Sequence, residues 1–100
     1  MSAYVDTLQA RDDPRKAGSR LFRCHLVADS RAELDAIALR LELRPIRVRV
    51  STEPVRGIPY YMITDTERDR AVSLGAVPLL RSEMQAKLEE ILERNGVLFE

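Results

Sequence analysis

The sequence has no tryptophan, one cysteine (Cys24) and one histidine (His25) in 100 residues. A lone cysteine cannot close an internal disulfide, so the fold must hold without staples, and a reducing, cytoplasmic setting is expected. A zinc site needs three or four convergent ligands, mostly His and Cys. With one of each, no metal and no cofactor is expected, and a magnesium pair built from Asp6 and Asp29 has no supporting spacing. Aromatic residues are 5% of the chain. That is too few to interleave with basic side chains, so a base-stacking platform for single strands is not signalled. No apolar run approaches the ~20 residues that span a bilayer. The start lacks a charged region followed by an apolar stretch, so neither a membrane segment nor a secretory signal is expected. A glycine-rich phosphate loop and a Ser-His-Asp set are also missing. Lysine is scarce: the 16 basic residues are 14 arginines plus Lys16 and Lys87.

What remains is the composition of an ordinary globular protein, 45% hydrophobic and 32% charged, with a formal net charge of zero. Residues 1–100 are expected to form a single domain. Charge is uneven along the chain, with 11 basic and 8 acidic residues up to position 56 and 5 and 8 beyond it. Arginine offers a rigid fork for phosphate or carboxylate, which lysine does not.

Local patterns give the order of elements. Ala3-Tyr4-Val5-Asp6 reads as a short strand, followed by a polar loop from Thr7 to Ser19 that turns at Asp12-Asp13-Pro14. Leu21 to Val27 reads as a strand with Phe22, Cys24 and Leu26 on one face and Arg23, His25 and Val27 on the other. Ser30-Arg31-Ala32-Glu33 is a capping-box pattern, and Leu34, Ile37, Ala38 and Leu41 make one apolar stripe of the helix behind it. Ile46 to Val50 alternates strictly and predicts a half-buried strand with Arg47 and Arg49 facing out. Tyr60 to Ile63 predicts another strand, and Thr64-Asp65-Thr66-Glu67 a second capping box closed by Gly75. Ala76 to Leu80 reads as a strand, and Ser82-Glu83-Met84-Gln85 as a third capping box before a helix that stops at Gly96. Val97-Leu98-Phe99 forms an apolar tail. Strands alternating with helices imply βαβ crossovers. The expected fold is α/β, a small and mostly parallel sheet of about four or five strands with three helices. The direction of the 46–50 strand stays open.

With these segments placed, the chain resembles a bacterial and phage domain-of-unknown-function family (number 4031). The likeness rests on Tyr4-Val5-Asp6, on Arg20-Leu21 through Cys24-His25-Leu26-Val27-Ala28-Asp29, on Glu33 through Ala38 with Leu41, and on Arg68 through Gly75-Ala76-Val77. It covers nearly the whole chain. That family shows a His-Tyr-Asp triplet opening its later strand, and here the triplet falls on Tyr60-Tyr61-Met62. The middle tyrosine matches; the histidine and the aspartate do not. This chain also carries extra residues between Pro45 and Gly57. The resemblance implies no assigned activity. It puts His25, Asp6 and Tyr61 forward as the polar positions that match, and it places in doubt any chemistry that needed the missing histidine and aspartate.

Several site readings follow. His25 is the one side chain that titrates near neutrality unperturbed, so it is a candidate base or ligand, with Asp6 as a candidate partner. Cys24 points to the opposite face of its strand and cannot serve His25. In a parallel sheet the helix starts at Ser30, Thr64 and Ser82 would share one edge with Asp29 and Arg81, where free N–H groups attract anions. The loop after Asp6, with Arg11, Arg15, Lys16 and Arg20, could fold over an anionic ligand, and the resemblance puts Tyr60 and Tyr61 at the site. Tyr60, Tyr61, Asp29, Arg20 and Arg81 are the candidate binding residues. Arg40, Arg44, Arg47, Arg49 and Arg56 suggest a basic patch for nucleic acid or another anionic partner. The leading expectation is a small protein that binds an anionic molecule, nucleotide-like or nucleic acid, without robust catalysis. The alternatives are a hydrolase-like enzyme with a partly degenerate site at Asp6 and His25, and a protein–protein adaptor using the Val97–Phe99 tail. A homodimer stays open.

Overall fold

The computed structural model describes residues 2–52 and 56–95. The Val97–Phe99 tail and the stop at Gly96 lie outside the described residues. Within them the order is β1 (Ala3–Val5), β2 (Gln9–Asp12), β3 (Arg20–Ala28), α1 (Arg31–Arg40), a 3-10 turn (Pro45–Arg47), β4 (Val48–Val50), β5 (Pro59–Thr64), α2 (Asp65–Ser73), β6 (Val77–Pro78) and α3 (Arg81–Asn95).

The strands form one mixed sheet in the order β4-β5-β3-β1-β6, with β2 beside the first half of β3. It is mostly antiparallel, not mostly parallel as expected; the one parallel pair is β1 with β6. A mostly parallel sheet would have β3, β5 and β6 running the same way; β5 and β6 do, but β3 is antiparallel to both. β3 and β4 run the same way through α1, and so do β5 and β6 through α2. The strands joined by each crossover are not neighbours, however. β5 folds back between β4 and β3, antiparallel to both, and β1 sits between β3 and β6. These antiparallel strands occupy the places that a parallel partner would take.

Both faces of this sheet are covered. Alternation along β3 sends Cys24, Leu26 and Ala28 to one face, where they pack with Tyr61, Ile63, Leu34, Ile37, Ala38 and Ala71 of β5, α1 and α2. Val27 goes to the other face, with Tyr4, Ile58, Met84 and Ile91, beneath α3. Each fully buried aliphatic side chain contributes about 1.5–3 kcal/mol, so β3, buried on both sides, anchors the fold.

Helix starts follow local chemistry at two of three predicted places. The Ser30 hydroxyl accepts from Glu33 N at 3.2 Å, while the Glu33 carboxylate reaches the backbone N of Ser2 rather than closing the box. Thr64 makes the full reciprocal box with Glu67. Ser82 is a correction: it is the second residue of α3. Glu83 accepts from Leu80 N at 2.7 Å, so the cap lies two residues earlier than expected. Thr64→Ala should therefore cost about 1 kcal/mol, whereas Ser82→Ala should change chemical-denaturation stability by less than about 0.5 kcal/mol.

The segment Thr7–Ser19, expected to be a loop, holds β2. Gln9, Ala10, Arg11 and Asp12 pair with Arg23, Phe22, Leu21 and Arg20. The Ile46–Val50 strand is shorter than its alternation suggested, because Pro45 opens a 3-10 turn that takes up Ile46 and Arg47. Arg47 consequently does not face out. Its two terminal nitrogens bond the Glu67 carboxylate at 2.9 and 3.1 Å, and one also reaches Met62 O at 2.9 Å. Burial opposes ionisation of Glu67, but hydrogen bonds from Arg47 and the Thr64 backbone outweigh it and hold the carboxyl below its usual range. The expected basic patch of Arg40, Arg44, Arg47 and Arg49 thus loses Arg47 to an internal ion pair.

Candidate functional site

β1 and β2 are one strand interrupted at Asp6–Leu8, both running antiparallel along β3. At the break the backbone ladder opens, and the Asp6 side chain fills it. Asp6 is 2% exposed. Its Oδ1 accepts from the His25 backbone N at 2.6 Å, and its Oδ2 lies 2.7 Å from His25 Nδ1. Asp6 N donates to His25 O at 3.3 Å, and Arg68 Nε, from α2, donates to Asp6 O at 2.9 Å. An ionised carboxylate only accepts. Nδ1 must then carry the shared proton, and the neutral ring has its lone pair at Nε2. Nε2 has no protein partner among the described residues, and the His25 side chain is 32% exposed.

His25 lies on the α3 face of the sheet and lines a cavity of about 320 Å³. The floor is Asp6, Gln9, Arg11, His25, Val27 and Tyr60. One wall is the β4–β5 connection, with Ser51, Thr52 and Ile58; the Ser51 hydroxyl is tied down by Ile58 N at 2.9 Å. The roof is the first half of α3, where Arg81, Met84, Gln85 and Leu88 recur at helical spacing on one face. Tyr60 packs against His25, ring centroids 5.2 Å apart and tilted by 59°. Arg11 and Arg81 form no ion pair with any described residue. Among the described residues Asp6 is the only acidic residue of the lining, and both of its oxygens are engaged. The cavity therefore presents two guanidinium groups, an imidazole nitrogen and neutral hydrogen-bonding groups.

The predicted residues separate into those gathered here and those that are not. Asp6, His25, Tyr60 and Arg81 share the cavity. Tyr61 does not, which corrects the expectation that it would sit beside His25 and Asp6. Leu26, not His25, is opposite Tyr61, and the Tyr61 ring is buried against α1 and α2. Burial pushes its hydroxyl up from the usual tyrosine range. Tyr60 and Met62 flank it on the cavity side of the sheet, Met62 directly across from His25. Asp29 accepts from the Tyr4 hydroxyl at 3.0 Å beyond the far end of β3, outside the cavity. Arg20 lies across from Asp12 at the tip of the β2–β3 pair. The three helix starts do not share an edge: β5 and β6 run opposite to β3, so α2 and α3 begin at one edge and α1 at the other. The cavity lies on the α3 face of the sheet, between the ends of β1 and β6 and the start of β5, which is how a mid-strand histidine and Arg81 come together.

Gln9, Gln85 and Arg68 were not singled out as site residues, and Arg11 only as one of the basic residues of the loop after Asp6. Arg11 stood in the presumed loop, and the turn markers Asp13 and Gly18 were the signal that a hairpin carries it. Among the described residues no group of three or more His, Cys, Asp and Glu side chains could hold a metal ion. No described helix is long and apolar enough to cross a membrane.

Cys24 lies behind His25, 1% exposed. Burial, then the Asp6 charge, push its thiol from 9.0 up to about 12, with Arg68 opposing. The folded chain thus holds a proton that the unfolded chain releases at lower pH. Its stabilising effect is complete below pH 9 and is lost as pH rises toward 12, with a limiting slope of about 1.4 kcal/mol per pH unit. Urea melts between these limits should show that slope, and Cys24→Ala should flatten it.

The model of one family, described as protein of unknown function (DUF4031), matches residues 10–91. No curated protein and no solved structure matches the chain.

Proposed function

From the premise that the chain belongs to the DUF4031 family, which brings no activity with it, we propose that it binds a small anionic molecule in the cavity over His25. One observation carries this reading: Arg11 and Arg81, both without a carboxylate partner among the described residues, line the same cavity as His25, and Asp6, the only acid of that lining among the described residues, is already engaged. Unpaired guanidinium groups facing a common space favour phosphate or carboxylate, which they can grip with two hydrogen bonds each. Val27, Ile58, Met84 and Leu88 give the same cavity an apolar lining, so the ligand joins an anionic end to an apolar or aromatic body. The volume is at the lower end of small-molecule sites, about 300–1,000 Å³. Differential scanning fluorimetry with inorganic phosphate, pyrophosphate and a nucleoside monophosphate is the test. A ligand-dependent rise in Tm that sodium chloride at equal ionic strength does not reproduce is expected; no rise with any anion contradicts it.

A second reading is favoured by the Asp6–His25 pair itself. An aspartate on Nδ1 orients the ring and supports a positive charge on it, so Nε2 can take a proton from a water attacking a bound ester. Tyr60 and Met62 stand where the resemblance implies His and Asp, and both face the cavity side. Turnover of a phosphate or carboxylic ester that disappears in His25→Ala would favour catalysis over binding. Acquisition of turnover only in Tyr60→His with Met62→Asp would favour a binding protein with a degenerate site.

A further inference from the structure

The β2–β3 hairpin, residues 9–23, does not take part in the core. β6 pairs with β1 only at Tyr4 and Val5, so the outer edge of β2 is uncovered. β5 begins to pair with β3 at Arg23, so Arg20, Leu21 and Phe22 have β2 as their only strand neighbour among the described residues. The result is a two-stranded ribbon standing off one end of a molecule 42 Å long and about 26 Å across.

This ribbon is basic although the chain is neutral. It carries Arg11, Arg15, Lys16, Arg20 and Arg23 against Asp12 and Asp13, a net +3, and the rest of the chain sums to −3. Both acids are turned to local use. Asp13 Oδ1 accepts from Arg15 N at 2.8 Å and shapes the turn. Asp12 lies directly across from Arg20 on the same face. The other face presents Arg11 and Arg23, and the tip presents Arg15 and Lys16. The turn is internally bonded: Asp13 N to Ser19 O at 3.0 Å, Ser19 N to Lys16 O at 3.1 Å, and Lys16 N to Asp13 O at 3.3 Å. Gly18 closes it at φ +81°. The charges are held on an ordered scaffold before any partner arrives.

We propose that this hairpin is an arm that docks on the phosphate backbone of duplex nucleic acid, without reading sequence. Two strands about 4.8 Å apart make a ribbon that enters a major groove about 12 Å wide. Four of the five cations are arginines, whose forks suit phosphate. The tip has no large apolar side chain to enter a lipid surface; only Pro14 and Ala17 accompany the charges. The basic face has no aromatic ring: Phe22 is on the Asp12 face. A single strand would have nothing to stack on. The arm needs no ligand in the cavity and shares only one cation, Arg11, with it, and the variants below leave that residue in place.

Fluorescence anisotropy of an end-labelled duplex of about 20 base pairs with the intact chain tests it. Four phosphate contacts give a log–log salt slope of about −3.6. The variant Arg15→Ala, Lys16→Ala, Arg23→Ala is expected to bind at least about tenfold more weakly, with a slope near −1. Its melting temperature should be unchanged, since the arm is outside both cores. Arg81→Ala should weaken the response to small anions and leave duplex binding intact. Three results would overturn the proposal: no saturable binding at about 50 mM salt, a triple variant that binds within about twofold of the original, or a single strand that binds more tightly than the duplex.

Discussion

Asp6→Ala is expected to destabilise the fold by about 3 kcal/mol and to lower Tm by about 12 °C or more. The effect exceeds that of an ordinary polar deletion because the carboxylate replaces a missing rung of the sheet. Its Oδ1 receives the His25 backbone N–H at 2.6 Å, at the point of the ladder that neither β1 nor β2 pairs. Alanine leaves that donor without its acceptor and releases the ring of His25 as well. Removing a buried charge returns some desolvation energy, which keeps the estimate below the sum of two charged hydrogen bonds. Asp6→Asn separates the two roles. The amide oxygen can still accept from His25 N, so the stability loss should fall to about 1 kcal/mol. Its NH2 group then faces Nδ1, which must become an acceptor, and the ring proton moves to Nε2. Thermal melts of the two variants, read together, distinguish a structural bond from a positioning one.

Arg81→Ala and Arg11→Ala are each expected to weaken pyrophosphate binding by about ten- to a hundredfold while leaving stability within about 0.5 kcal/mol. Both side chains are exposed, and neither pairs with a described carboxylate. Arg81 opens α3, where the helix macrodipole gives a cation no stabilisation. Nothing in the fold calls for a positive charge there, whereas the cavity does. Isothermal titration calorimetry on the two variants checks this. Arg47→Ala is the contrast: it breaks the pair with Glu67 and should cost stability without changing anion affinity.

The comparison of sequence and structure turns on which signals are local. Strand β3, helix α1 and the Thr64–Glu67 cap were legible because alternation, the i, i+3, i+4 stripe and a capping box are each set within a few residues. The inner and outer faces of Cys24 and His25 followed for the same reason. Strand order did not, since it depends on which turns fold back. The seven-residue link from Asp13 to Ser19 looked like part of a loop, and β2, with Gln9, Arg11 and Asp12, has no apolar alternation to betray a strand. Tyr61 was misplaced by register alone: a shift of one residue exchanges the faces of the sheet, and sequence cannot tell Tyr60 from Tyr61 as the neighbour of His25. The Asp6–His25 pairing was suggested by family likeness, but its geometry arises from a break between β1 and β2 that only the folded chain displays.

His25 is the only histidine in the chain, so its ring gives a single set of signals in a long-range ¹H–¹⁵N spectrum, and that spectrum during a pyrophosphate titration tests the central claim most directly. The account predicts a ring protonated at Nδ1, with an unprotonated Nε2 resonance that shifts saturably as the anion enters the cavity, and in Asp6→Asn a proton moved to Nε2. An Nε2 resonance that stays fixed while the anion binds elsewhere, or a ring already protonated at Nε2 alone in the unaltered chain, would contradict it.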